Sequence, residues 1–228
     1  MAEQDVTLTD RSLKTPRAAA IAGIVFAVLF STAVVLIRLS IPADPADGGA
    51  WLTGNAGRVS LALSLAPFAG LAFLWFIGVV RDRLGDFEDR FFSTVFFGSG
   101  LLFLAMTFAS AALAGGMLFS YRVQSSLLID SGVYTFGRAA MWTIMNIYAI
   151  KMAGAFMLSL GTIWFRTGLM PRWLALLTFV LALGLLLSIS LSLWVTLIFP
   201  TWVFLISAYI LITNLRSQPS YPGPQGMP

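Results

Sequence analysis

Six long apolar runs, separated by short polar segments, constrain the fold of this chain more than any other feature. A membrane-spanning helix needs about 20 mostly apolar residues. Only 11% of the 228 residues are charged, whereas soluble domains carry about a quarter. The sequence therefore predicts an all-α integral membrane helical bundle with six transmembrane helices. The expected spans are approximately residues 17–41, 59–80, 91–119, 139–165, 173–191 and 197–215.

The last two spans form one apolar run that is interrupted only near residues 190–194. This run is compatible with one very long helix or with two crossings. We favour two crossings, because residues 173–215 are more than a single tilted helix needs to cross a bilayer.

The basic residues predict the orientation, because Lys and Arg collect in cytoplasmic segments. Nine basic residues on one side against four on the other favour a cytoplasmic position for both termini. The abundance of Arg over Lys, with much Ala, Gly and Leu, suggests a high-GC bacterial genome, so we expect the chain in a bacterial plasma membrane. The proposed inner set is Arg11, Lys14, Arg17, Arg81, Arg83, Arg90, Arg166, Arg172 and Arg216, and the outer set is Arg38, Arg58, Arg122 and Arg138.

The polar parts of the chain are short. We expect a polar cytoplasmic tail over residues 1–16, a transmembrane domain over 17–215, and a disordered Pro- and Gly-rich cytoplasmic tail over 216–228. Two outer segments, 42–57 and 120–138, are too short for an independent domain. Function must therefore reside in the bundle or in its partners.

The chain contains no Cys and no His. Thiolate chemistry, haem ligation by His and ordinary zinc sites therefore have no ligands, and the commonest general base is missing. No Asp or Glu lies within a predicted span, where ion-coupled transporters usually carry them. We expect no catalytic, cofactor-binding or metal-binding residue and no cofactor. The net charge of +4 resides at span ends rather than on a soluble basic face, so nucleic acid is not an expected partner.

Lys151 is the exception within the spans, because it falls near the middle of the fourth. A charge at that depth costs about 2.5–3.5 kcal/mol on insertion scales. Tyr148 precedes it by three residues and would share its helix face, whereas Asn146 would lie about 140° away on a regular helix.

Four interpretations of Lys151 remain open from the sequence. Its ammonium group binds carbonyls and hydroxyls as a structural element, meets an acidic residue of another subunit, holds an anionic ligand such as a lipid head group, or forms a Schiff base with a cofactor. The lack of a carboxylate counter-ion within the predicted spans argues against the Schiff base.

The most charged stretch of the chain, RDRLGDFEDR at residues 81–90, joins the second and third spans. Its arginines suit the end of one helix, Gly85 suits a turn, and Asp86 suits the first position of the next helix. We interpret it mainly as a tight cytoplasmic hairpin that also offers a docking point to a partner. The acidic residues of that docking point are Asp82, Asp86, Glu88 and Asp89.

This hairpin, with PRAAAIAGIVFAVLF before it and APFAGLAFLWFIGVV leading into it, resembles a family of small, uncharacterised actinobacterial multi-pass membrane proteins. The resemblance covers roughly residues 16–215. The chain is also similar to an accessory subunit associated with mycobacterial MCE-type lipid-transport complexes. The resemblance brings no catalytic residues with it.

Together these features predict a non-catalytic accessory or scaffolding subunit of a membrane complex that moves lipid. Its expected partners are membrane lipids and other membrane-protein subunits. One alternative is a stand-alone small carrier or lipid-binding membrane protein that uses Lys151. A further alternative is an integral membrane enzyme.

Overall fold

The structure, a computed structural model, describes residues 15–42, 48–84, 90–188 and 193–216. These residues form helices and short connections and contain no strand, which confirms the all-helical prediction. A π-helix covers Ile144–Ala149, and a 3-10 helix covers Leu193–Leu197. The helices are α1 (Thr15–Ser40), α2 (Trp51–Gly54), α3 (Ala56–Leu84), α4 (Arg90–Asp130), α5 (Val133–Thr143), α6 (Ile150–Thr167), α7 (Arg172–Leu187) and α8 (Ile198–Arg216).

Five helical stretches in the described part of the chain are long and apolar enough to cross a membrane. They identify the chain as a membrane protein. The α5, π and α6 segments together make one of these stretches. The five are Arg17–Ser40, Ala56–Arg81, Phe91–Ser126, Val133–Thr167 and Trp194–Thr213.

The predicted fifth span, residues 173–191, corresponds to α7, which is shorter than expected. It has 16 residues and ends at Leu187, so it extends about 24 Å against a hydrocarbon core of about 30 Å. Residues 189–192, where the sequence continues the span, lie outside the described residues.

The predicted outer segment 120–138 is mostly helical. The α4 helix continues through it to Asp130, with a kink at Gln124, where φ is −155° and ψ is 79°. A turn at Gly132, in the left-handed region with φ of 74°, then starts α5. Glycine suits this turn because it lacks the Cβ that disfavours positive φ. After this turn, α5 runs back into the bundle.

Phenylalanines from five helices meet at the centre of the bundle. The ring of Phe73 in α3 lies 4.6 Å from that of Phe26 in α1 and 5.4 Å from that of Phe156 in α6. The ring of Phe103 in α4 lies 4.7 Å from that of Phe199 in α8. In lipid, apolar burial gives little drive for association, so van der Waals and edge-to-face ring contacts of this kind must hold the helices together.

Candidate functional site

A cavity of about 80 Å³ lies between α1, α3, α4 and the α5–π segment, on the side of the bundle where α1 ends. Most of its wall is made of small or apolar side chains. Its polar groups are two arginines, an asparagine and two hydroxyl residues. They are Arg38, Arg138, Asn146, Thr107 and Ser110.

Arg38 lies in the last turn of α1 and is half-buried. Its Nη2 donates a hydrogen bond to Asn146 Oδ1 and a weak one, at 3.4 Å, to Thr196 Oγ1. Its Nε is buried without a hydrogen-bond partner among the described residues. Both acceptors are neutral, so the guanidinium keeps a charge and a donor that suit the paired oxygens of a carboxylate or phosphate.

Arg138 is 6% exposed on the wall of the same cavity. Its Nη2 donates to the carbonyl of Pro42 at 2.6 Å, which ties α5 to the segment after α1. Nearby, Ser110 Oγ donates to the carbonyl of Met141 at 3.0 Å and fixes α4 against α5. The first bond positions the second guanidinium, and the second bond fixes the helix that carries it.

The π-helix places Asn146 on the cavity wall. Its Nδ2 donates to the carbonyl of Trp142 at 2.9 Å, which fixes the amide so that Oδ1 accepts from Arg38. π-helical turns occur frequently at functional sites. The sequence-based placement of Asn146 on a different face from Lys151 agrees with this arrangement, although that placement assumed a regular α-helix.

Lys151, in the first turn of α6, binds the end of α7. Its Nζ donates to the carbonyls of Leu185 at 3.2 Å, Ser188 at 2.7 Å and Leu186. The last carbonyls of a helix have no partner within it and carry the negative end of its dipole. The ammonium group therefore caps α7 in both hydrogen bonding and charge.

This geometry is the one that the carbonyl-binding interpretation of Lys151 describes. An ammonium group has three donors, and three carbonyl oxygens occupy them. Each charge-assisted bond contributes about 1.5–3 kcal/mol, so together they outweigh a burial cost of about 2.5–3.5 kcal/mol. The partner-subunit and anionic-ligand interpretations stay predictions. Each would require Lys151 to replace one or more of these carbonyls with an oxygen of the partner or ligand.

Of the other predicted site residues, only Tyr148 has a described side chain. It is 53% exposed, and among the described residues no hydrogen bond joins it to Lys151. Asp82 belongs to α3, but its side chain is not described, and Asp86, Glu88 and Asp89 lie outside the described residues. The docking point therefore stays a prediction.

The two arginines of the cavity were missed as site residues by the sequence analysis, which used Arg38 and Arg138 only as markers of the outer side. Their convergence depends on α5 folding back beside the end of α1. A usable signal was present in the polar residues within the spans, since Asn146, Thr107 and Ser110 all line the cavity.

None of the described side chains is a carboxylate, because all ten Asp and Glu side chains belong to positions whose side chains are not described. The cavity wall in the described part therefore carries positive charge alone.

Comparisons with protein-family models, curated proteins and solved structures find no match to this chain.

The Lys151 cap predicts a loss of stability in the variant Lys151→Met. The three carbonyls would remain in an apolar site without their donor, so we expect the free energy of unfolding to fall by about 2 kcal/mol or more. For a chain of this size the Tm should fall by about 4–8 °C, measured by tryptophan fluorescence in mild detergent.

Tyr148→Phe is the matched control for this experiment, since Tyr148 lies close to Lys151 in sequence and is exposed. Its Tm should equal that of the wild type. A Lys151→Met variant as stable as the wild type would contradict the structural role of the lysine.

Proposed function

We propose that this chain is a non-catalytic membrane protein that binds an anionic lipid in the cavity beside Arg38, and that it serves as an accessory subunit of a membrane assembly that moves lipid. The observation that carries the proposal is the half-buried Arg38 guanidinium. It lines an open space, its hydrogen bonds go to neutral acceptors, and its Nε has no partner among the described residues.

The shape of the site favours a lipid over a small ion. Phe30 also lines the cavity and lies eight residues before Arg38 on α1, so the apolar wall extends about 12 Å from the guanidinium. A site of this kind, with a few polar groups at one end of an apolar wall, suits an amphiphile whose head is anionic.

The proposed binding residue differs from the one that the sequence suggested. Lys151 already donates to three carbonyls, whereas Arg38 has a donor in excess of its acceptors. We therefore assign the anionic head group to Arg38, with Arg138 beside it on the wall.

The proposal includes six crossings and cytoplasmic termini. The Lys151 cap supports this count, because it satisfies the carbonyls at the end of α7, so that α7 and α8 are two separate helices. In this topology Arg38 and Arg138 face the outer leaflet.

Alkaline phosphatase fused after Arg216 should then be inactive, whereas fusion within the 42–57 segment should give active enzyme. An active fusion after Arg216 would exclude this orientation.

The accessory role is supported by the resemblance to subunits associated with MCE-type lipid-transport complexes and by the absence of His and Cys. Purification of the full chain from its native membrane in a gentle detergent, followed by mass spectrometry, should recover other membrane-protein subunits. Recovery of the chain only as a monomer or homo-oligomer would count against this role and leave lipid binding untouched.

Lipid binding predicts a selective loss in the variant Arg38→Gln. The wild type, purified in mild detergent, should retain phosphatidylglycerol over phosphatidylcholine when its lipids are extracted and quantified by mass spectrometry. Arg38→Gln removes the charge and keeps a polar side chain, so we expect several-fold less retained anionic lipid at an unchanged Tm.

Arg58→Gln is the matched control, because Arg58 is an exposed arginine of α3 near the same end of the bundle and does not line the cavity. It should retain lipid as the wild type does. Equal losses in the two variants would show that surface charge alone attracts the lipid, and no loss in either would overturn the proposal.

A carboxylate of the chain itself is the competing occupant of the cavity. The double variant Asp44→Asn/Asp47→Asn tests it, since both residues follow Pro42, which lines the cavity. We expect unchanged lipid retention. Lipid that binds only after these carboxylates are removed would show that the outer segment, rather than a lipid, satisfies Arg38.

A further inference from the structure

The seam between α3 and α4 is closed at two levels by side chains that meet glycines. The ring of Phe108 lies over Gly70, where a Cβ would overlap it. Seven residues away on α3, Leu63 lies within ordinary contact distance of Gly115, since a Cβ there would be 3.7 Å from Leu63 Cδ1. These contacts are about 10 Å apart along the helix.

Between these two levels the cavity wall includes one small side chain from each helix. Ala66 of α3 and Ala111 of α4 both line the cavity and both are only partly buried. Their side chains are single methyl groups, so side chains obstruct the seam least at this level, which makes it the candidate opening of the cavity between the two helices.

The surface around this opening is apolar. Leu71 is 54% exposed on α3, and Phe108 is 39% exposed on α4. In a membrane-spanning bundle such residues contact lipid chains. The opening therefore faces hydrocarbon rather than water.

The outer end of the cavity is covered by a buried aromatic cluster. Trp51 of α2 is 1% exposed, and its Nε1 donates to Tyr134 Oη at 2.9 Å. The cluster shares Ile41, Ala114 and Met141 with the cavity wall. Among the described residues, this packing closes that end of the cavity, which favours a lateral route through the seam.

We propose that the lipid reaches the cavity sideways from the bilayer, with one acyl chain lying in the α3–α4 seam between Ala66 and Ala111 and its anionic head group at Arg38. The charged and amide groups come from α1 and the α5–π segment and two hydroxyls come from Thr107 and Ser110 of α4, whereas the seam itself carries the methyl groups of Ala66 and Ala111. This division of the wall gives head and chain separate ends. The inference rests on the proposed function. It adds the path by which the lipid enters and the places where its head group and one acyl chain bind.

Cysteine protection tests this route directly, because the chain has no Cys of its own. The variants Ala66→Cys and Ala111→Cys are each placed in phosphatidylcholine nanodiscs and labelled with N-ethylmaleimide. Addition of oleate or lysophosphatidylglycerol, each with one chain and one anionic group, should slow labelling several-fold at both positions. Ala109→Cys is the control, because Ala109 is exposed on α4 and does not line the cavity.

The comparison of probes separates the sources of the anion and the chain. Protection by inorganic phosphate as strong as by oleate would show a free-anion site and overturn the proposal. Full protection in phosphatidylcholine alone would show a chain without head-group recognition and overturn it as well. Loss of this protection in the double variant Ala66→Cys/Arg38→Gln would support the proposal, since it would show that chain binding at Ala66 depends on head-group binding at Arg38.

A steric variant provides an independent measurement. Ala66→Phe should fill the opening and reduce retained anionic lipid, whereas Ala109→Phe should not, with the Tm of both variants as the check on folding. If Ala66→Cys is unprotected and Ala66→Phe retains lipid while Arg38→Gln loses it, the side route is wrong and the proposed function stands. If Arg38→Gln also retains lipid, both are wrong.

Discussion

The need to satisfy backbone carbonyls in an apolar environment governs the arrangement of α6, α7 and α8. The bilayer core has no water that could donate hydrogen bonds to these carbonyls, and each unsatisfied group costs several kcal/mol. The α7 helix ends at Leu187 in the described structure, and Lys151 supplies donors to its last carbonyls. Gly154 allows the close approach that this requires, since a Cβ there would lie 2.9 Å from Leu186 Cγ.

The structure separates two uses of a cation within one bundle. The ammonium of Lys151 is a compact charge whose three donors are taken by three carbonyls. The guanidinium of Arg38 is a planar group with more donors than its neutral neighbours use. Because a guanidinium can bind two oxygens at once, Arg38 is suited to an additional anion and Lys151 is not. Residue type thus separates the structural cation from the proposed binding cation.

The sequence was sufficient for the membrane bundle, because hydropathy follows from composition over about 20 residues. It also identified Lys151 as unusual, since charge within a span is costly. The sequence did not predict the cavity. Arg38 and Arg138 are a hundred residues apart in the chain and line the same cavity because the turn at Gly132 starts α5 back along the bundle. The early end of α7 was also missed, because the apolar pattern continues past Leu187 and the cap that ends the helix comes from Lys151 on another helix.

The π-helix over Ile144–Ala149 makes chain length, more than residue identity, the sensitive property of this segment. Asn146 must face Arg38 while Lys151, only five residues later, faces the end of α7. A π turn already holds about one residue more than an α turn, so insertion of a further residue between them would rotate α6 by about 100° relative to α5, and both contacts could not then be kept. Homologous chains that preserve both contacts should therefore vary in the apolar residues of this segment without lengthening it.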